Sequence, residues 1–511
     1  MKQSYTKNYL KIYFFQILSI VLGFVSMFIV VPYLSSDQTT YGIYSVCISV
    51  TIFLAYADLG FLGAAQKYAA ESFAQNDTSR EVSLIGFAHF ILLVVVLLIC
   101  GVFLYMSFHP ENLISGLSDP TQREIAHKLL LILAISAPVM VLQRMLQMIF
   151  GIRLEEYNIQ KIVIIGNVLK IASIFYFFTG GRYDIVGYYL FMQIVAVMVA
   201  LTGLWMARRK YNYPFKLLFT KFKFSKTIFA QTKSLAFSSL FVTAAWILYY
   251  ELDSIAIGKM LGAKMVAIYA IGLTLLGFIR SLLGVFFSPF SSRFNHFIGL
   301  GKIEEFKTFY LHVIKMTFPL VVFPLTAAAM MSRGLIVSWV GVEYNASVDV
   351  AVWLILCNVL GFISYPAGVM LVAREKIKQM YLVNAAMVVV FWGGILLTIG
   401  SWGVESFAVF KFITFTLSAI LYVWLSIQFL GISFAKFLRQ VVLPHLPALI
   451  LIIVVLYFVQ NICIDGKSKL SLLINASIVV GAICVGFCVS FITSKDLRNY
   501  VTKTAKTLFK K

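Results

Sequence analysis

Charge is what this chain has least of. Only 12% of its 511 residues are Asp, Glu, Lys or Arg, whereas 61% are hydrophobic and the mean hydropathy is +0.91. A water-soluble domain carries about a quarter charged residues, so an aqueous surface cannot be assembled from so few. Acidic groups are the scarcer sign, 21 against 42 Lys and Arg, for a formal net charge of +21. In a soluble chain that excess would suggest nucleic acid. In one this apolar, basic residues collect in the cytoplasmic loops of a membrane protein, and no nucleic-acid partner is expected. Cysteine is sparse as well: Cys47, Cys100, Cys357, Cys463, Cys484 and Cys488 lie in or beside apolar stretches. Their spacing forms neither a metal motif nor a disulfide framework. The chain has no HExxH, no P-loop and no Gly-x-Ser-x-Gly elbow, the patterns by which metal, nucleotide and acyl chemistry are recognised. Hence no enzyme, no metal, no cofactor and no ATP-hydrolysing engine are expected.

What is abundant is long apolar runs, each near the roughly 20 residues that cross a bilayer as a helix. Fourteen spans are predicted, at 10–32, 41–64, 84–107, 128–150, 161–179, 185–207, 235–258, 265–289, 308–330, 348–372, 379–400, 404–429, 441–462 and 470–492. The first is too long for a signal-peptide core and runs into Pro32-Tyr33 with no small-residue cleavage site, so it is read as a retained helix. The fold class expected is an all-α polytopic membrane protein without a soluble catalytic domain.

Lys and Arg placement orients the spans. With the N-terminus inside and strict alternation, 29 of the 42 basic residues fall on the cytoplasmic side, 8 outside and 5 within spans. Both termini are therefore expected in the cytoplasm. The central connection holds Arg208, Arg209, Lys210, Lys216, Lys221, Lys223, Lys226 and Lys233, with no acidic residue among them. It divides the chain into a six-helix lobe at 1–207, a basic linker at 208–234, a second six-helix lobe at 235–430, and two extra helices with a basic tail at 431–511. A faint repeat pairs Gly42-Ile43-Tyr44-Ser45-Val46 with Ala267-Ile268-Tyr269-Ala270-Ile271. Because six is even, the lobes share one orientation, and a pseudo-two-fold would run along the membrane normal.

Ionisable groups within spans are costly and mark function by default. The cations are Arg144, Lys170, Arg280, Lys315 and Lys411; the anions are Asp58, Glu251 and Asp253. Arg144 and Asp58 lie near cytoplasmic span ends, where snorkelling or water-filled helix ends are the plain alternative. Glu251 and Asp253, near the outer end of span 7, suit ion coupling or an ion pair. Lys170 and Arg280 fall near mid-span, and Lys315 and Lys411 about two turns in, so an interior cavity or a counter-ion is expected for each. The surplus of cations favours an anionic substrate, and arginine suits forked contacts to phosphate. Pro138, Pro289, Pro319, Pro324 and Pro366, with Gly361 and Gly368, permit bends within spans.

Several short motifs carry a family likeness. Val31-Pro32-Tyr33-Leu34 with Tyr41-Gly42-Ile43-Tyr44, Asp58-Leu59-Gly60-Phe61, and Asp253-Ser254-Ile255-Ala256-Ile257-Gly258 with Leu261-Gly262 and Ile268-Tyr269-Ala270 resemble the span junctions of polysaccharide flippases. These are the Wzx-type O-antigen and capsule group of the multidrug/oligosaccharidyl-lipid/polysaccharide exporter superfamily. The likeness covers essentially the whole chain. It implies movement of an undecaprenyl-pyrophosphate-linked oligosaccharide from the inner to the outer leaflet of a bacterial inner membrane by alternating access. Other polysaccharide-assembly proteins are implied as partners. Two rivals are weighed against it. A cation-coupled multidrug exporter of the same superfamily depends on buried carboxylates, and span 1 here has none. A membrane-embedded polymerase, ligase or glycosyltransferase presents a large external loop; the longest here, Ser107–His127, is short and holds no obvious catalytic set.

Overall fold

Four of the scarce carboxylates start helices. Asp37, Asp77, Asp119 and Asp184 each precede a helix and accept a backbone N–H from its first turn, at 2.7 to 2.9 Å, satisfying donors that a helix start leaves orphaned. The structure, a computed structural model, describes residues 5–374, 377–460, 466–499 and 502. Lys2, Cys463 and the basic tail at 503–511 lie outside the described residues. All regular elements among the described residues are helical, with no strand.

The chain packs as two units, Met1–Ala267 and Ile268–Lys511. The first contains α1 (Tyr5–Leu34), α2 (Gln38–Ser49), α3 (Thr51–Ala55), α4 (Phe61–Ala74), α5 (Thr78–Phe108), α6 (Pro120–Ser136), α7 (Val139–Ile152), α8 (Tyr157–Phe177), α9 (Ile185–Tyr211), α10 (Phe215–Lys221), α11 (Lys226–Trp246) and α12 (Asp253–Leu261). Within it α4 and α6 pack on α5, α1 and α9 on α8, α10 on α5, α11 on α4 and α12 on α2. The helix α13 (Ala263–Gly299) leads into the second unit. There follow α14 (Ile303–Met330), α15 (Ser332–Val340), α16 (Ser347–Leu356), α17 (Gly361–Ala373), α18 (Ile377–Trp402), α19 (Glu405–Leu430), α20 (Phe434–Val441), α21 (Leu446–Val459) and α22 (Lys469–Thr493). The last two helices pack on α14 around Phe323, Ala327, Ile452 and Leu456, each no more than 1% exposed.

Among the described residues, eleven helices are long and apolar enough to cross a membrane, and up to thirteen spans result if each of two bent pairs counts as one. The expectation was fourteen. The two bent pairs are α6 with α7, angled 43° at Ala137-Pro138, and α16 with α17, angled 45° before Gly361. The remaining expected span, 235–258, includes side chains outside the described ones; its backbone runs from α11 through a π-helical turn, Ile247–Glu251, into α12. Of the prolines expected to bend spans, Pro138 lies at such a break, whereas Pro319, Pro324 and Pro366 lie inside unbroken helices. The ring of Pro366 displaces the hydrogen bond to the carbonyl four residues back; that carbonyl, of Phe362, accepts from the Thr317 hydroxyl at 3.2 Å. A neighbouring helix thus re-satisfies the freed group, as low-dielectric surroundings require. Large apolar side chains face outward along the spans, Leu98 at 69% and Leu397 at 86% exposed among them, which lipid tolerates and water does not. The chain is a multi-pass membrane protein.

Candidate functional site

One polar site lies in the first unit and starts from a sharp turn. After α3 the chain reverses through Leu59 (φ 51°) and Gly60 (φ 80°) into α4. A Cβ on Gly60 would lie 2.4 Å from the Ala236 carbonyl oxygen of α11, so both the left-handed backbone and the close approach demand glycine. At the start of α2, a Cβ on Gly42 would meet the Ala263 oxygen at 1.9 Å. The short motifs at these junctions thus mark places where backbones touch.

The turn presents Asp58, whose Oδ2 accepts from the Leu62 N–H at 3.3 Å. Opposite, α7 carries Arg144, whose Nη2 donates to the Ala55 carbonyl at 3.4 Å and whose charge acts on the Asp58 carboxylate. Together with Gln66, Gln147, Glu156 and Gln160 they line a cavity of about 510 Å³. Burial pushes the Glu156 carboxyl above its ordinary range, since desolvation disfavours the charged form. One guanidinium, two carboxyls and three side-chain amides supply donors and acceptors in many directions, which suits a ligand rich in hydroxyl groups.

Beside this cavity runs an ion-pair network that charge counting along the sequence did not single out. Arg153 bonds Glu81 at 2.9 Å with Glu81 1% exposed. The same guanidinium lies 4.7 Å from the Phe73 ring, 5.1 Å from Tyr211 and 5.3 Å from Tyr213. Glu155 accepts from Lys210, from the Tyr211 hydroxyl at 2.6 Å and from Asn158 at 3.1 Å. The signal available in the sequence was the run Arg153-Leu154-Glu155-Glu156 at a span end.

None of the remaining candidates is among the residues that line this cavity. Lys170, on α8, is half-buried, and no carboxylate among the described residues is within ion-pair distance of it. Glu251 accepts from Trp246 Nε1 at 3.2 Å across the π-helical turn, with Trp246 stacked on Tyr250 at 4.4 Å. Asp253 is 1% exposed and opens α12, where a carboxylate complements the helix dipole. In the second unit, Lys315 is bonded to Asp496 at 2.8 Å. Lys411 is 0% exposed, its ammonium 5.7 Å from the centre of the Phe391 ring. Arg280 is half-buried beside Tyr365, whose ring stacks on Phe287 at 5.3 Å. Sequence reading passed over a second polar cavity, of about 440 Å³, to which Lys307, Arg374 and Gln428 contribute. Arg374 there lies 4.6 Å from the Phe429 ring.

Comparison with known proteins agrees with this architecture. The family model described as polysaccharide biosynthesis protein matches residues 5–295. No curated protein matches the chain. Among solved structures, the lipid II flippase MurJ in an inward closed conformation aligns with a TM-score of 0.66 at 14% identity, over 93% of this chain and 99% of that one. An inward-facing multidrug resistance MATE family transporter of the MOP superfamily aligns at 0.63 and 15% identity, over 80% and 94%. A MOP superfamily transporter from Pyrococcus furiosus, described as having a binding pocket of reversed polarity, aligns at 0.57 and 14% identity, over 84% and 97%. Identities this low speak for the fold, and the family model speaks for descent: the chain belongs to the polysaccharide biosynthesis protein family and has the fold of MOP superfamily transporters.

Proposed function

We propose that this protein is a flippase for an undecaprenyl-pyrophosphate-linked oligosaccharide, moving it from the inner to the outer leaflet of a bacterial inner membrane by alternating access. Both termini and the central linker would face the cytoplasm, and polysaccharide-assembly proteins would supply and consume the cargo. The observation that carries the reading is the cavity lined by Asp58, Arg144, Gln66, Gln147, Glu156 and Gln160. Amides and carboxyls match sugar hydroxyls, whereas a purely apolar cargo would leave them unsatisfied. Arg280 and Lys170 are the proposed phosphate-facing cations and Arg144 a further cavity candidate, while Lys315, paired with Asp496, and Lys411, sealed in the core, are proposed as structural charges. Asp58, Glu251 and Asp253 are the proposed ion-coupling or ion-pair groups.

The test is reconstitution in vesicles with a short-chain polyprenyl-pyrophosphate oligosaccharide, scoring sugar exposed at the opposite face by lectin. Transport of that lipid, lost in Gln147→Leu and Arg144→Leu variants that still fold, supports the reading. The two carboxyls of the cavity favour a second reading, export of organic cations. Vesicles that move ethidium and leave the glycolipid in place would establish it instead.

A further inference from the structure

Where α10 lies against α5 in the first unit, a different cavity has no place in the transport reading. At the end of α9 the chain turns through Asn212 (φ 47°) and Pro214 and folds back, so that α10 lies against α5. Leu218 pins α10 into the core at 2% exposed, while its neighbour Phe219 projects outward at 77%. α10 walls a cavity of about 630 Å³ whose lining includes Leu93, Leu142, Trp205, Phe219 and Phe222, with Arg208 the one charged lining residue. That volume suits a bound small molecule, and its walls offer a water molecule almost nothing to bond.

Arg208 has no carboxylate partner among the described residues, and its neighbour Arg209 lies 5.1 Å from the Trp205 ring. From Arg208 to Lys233 there are eight basic residues and no acidic one, so this end attracts anions strongly. An apolar slot with a guanidinium at its mouth, placed where a helix lies along a span end, matches one occupant. We infer that this cavity binds an anionic glycerophospholipid of the adjoining leaflet, with an acyl chain between α5, α7, α9 and α10 and its phosphate on Arg208. Bound there, the lipid fixes the position of α10. The inference is independent of the cargo.

The test uses the full-length protein in nanodiscs of phosphatidylglycerol or phosphatidylcholine, with retained lipid counted by native mass spectrometry after mild extraction. Phosphatidylglycerol is expected to be retained about fivefold better, the preference one basic group near a membrane confers. Arg208→Gln should equalise the two lipids, and Leu93→Trp, which fills the slot, should lose both. Each variant is checked by thermal unfolding. Should Leu93→Trp not fold, quenching of Trp205 by brominated-acyl phosphatidylglycerol decides, read as the difference between the parent and Trp205→Phe. Equal retention of the two lipids by the parent, or no quenching attributable to Trp205, overturns the inference. So does displacement of phosphatidylglycerol by inorganic phosphate, which would mark a bare anion site, or by undecaprenyl phosphate, which would mark a carrier-lipid site.

Discussion

The guanidinium of Arg153 and the carboxylate of Glu81 meet 2.9 Å apart, joining the start of α5 to the end of α7 with the acid 1% exposed. α5 has 31 residues, about 46 Å at 1.5 Å per residue, which exceeds a hydrocarbon core of about 30 Å. The pair can thus occupy the interfacial layer, buried in protein. Removing one partner leaves a buried charge without compensation, at a cost of about 3–5 kcal/mol. Arg153→Ala should therefore lower the thermal unfolding midpoint sharply. Adding Glu81→Gln to that variant should recover part of the loss, which places the cost in the orphaned carboxylate.

Gly60 is expected to tolerate no side chain. Its left-handed backbone alone costs an alanine about 1–2 kcal/mol, and the Cβ would collide with the Ala236 oxygen of α11. Gly60→Ala should reduce stability by at least that amount, measured by unfolding in detergent. Gly63→Ala, where nothing lies within 4 Å of the added carbon, should be close to neutral.

Glu156 makes stability depend on pH. Its carboxyl is held above the ordinary value by burial, so the folded state binds the proton more tightly than the unfolded chain does. The resulting stabilisation is fully present below the unfolded value, about 4.3, and is lost as pH rises through the folded one. The parent's unfolding midpoint, taken relative to Glu156→Gln, should fall as pH is raised above about 4.3. A difference that grows as pH is raised contradicts the assignment.

Arg280 and Lys411 should separate function from structure. Arg280→Ala is expected to abolish glycolipid transport with little change in abundance, and Arg280→Lys to keep part of it, because charge remains without the planar fork. Lys411, sealed at 0% exposed, should instead lose stability on truncation to alanine, because deleting a fully buried long side chain leaves a cavity, at about 2–5 kcal/mol. Binding of a pyrophosphate-lipid analogue to the purified variants distinguishes the two.

Sidedness is testable directly. Reporters fused at Lys221 and Lys511 should score as cytoplasmic and one at Asp119 as external, following the 29-to-8 division of basic residues. A periplasmic signal at Lys221 would invert both lobes.

Much of this protein was written locally. Hydropathy alone located the helices, because a bilayer leaves a long apolar segment little choice but to close its backbone hydrogen bonds within itself. Asp37, Asp77, Asp119 and Asp184 marked helix starts through bonds spanning two or three residues. The motif glycines at positions 42 and 60 were visible as a family likeness, though not as contacts. Tertiary structure decided most of the rest, since those features depend on groups far apart in the chain. Asp58 and Arg144 share a cavity because α7, after its bend at Pro138, faces the turn that leads into α4. Lys315 reaches Asp496 across 181 residues, so of the two settings expected for it, a cavity or a counter-ion, packing supplies the counter-ion. Where the expected seventh span runs, the backbone passes from α11 through a π-helical turn, Ile247–Glu251, into α12, a local change of winding that hydropathy does not report. Side-chain period and hydropathy report which residues leave water; which partner each one meets is set only when the helices pack.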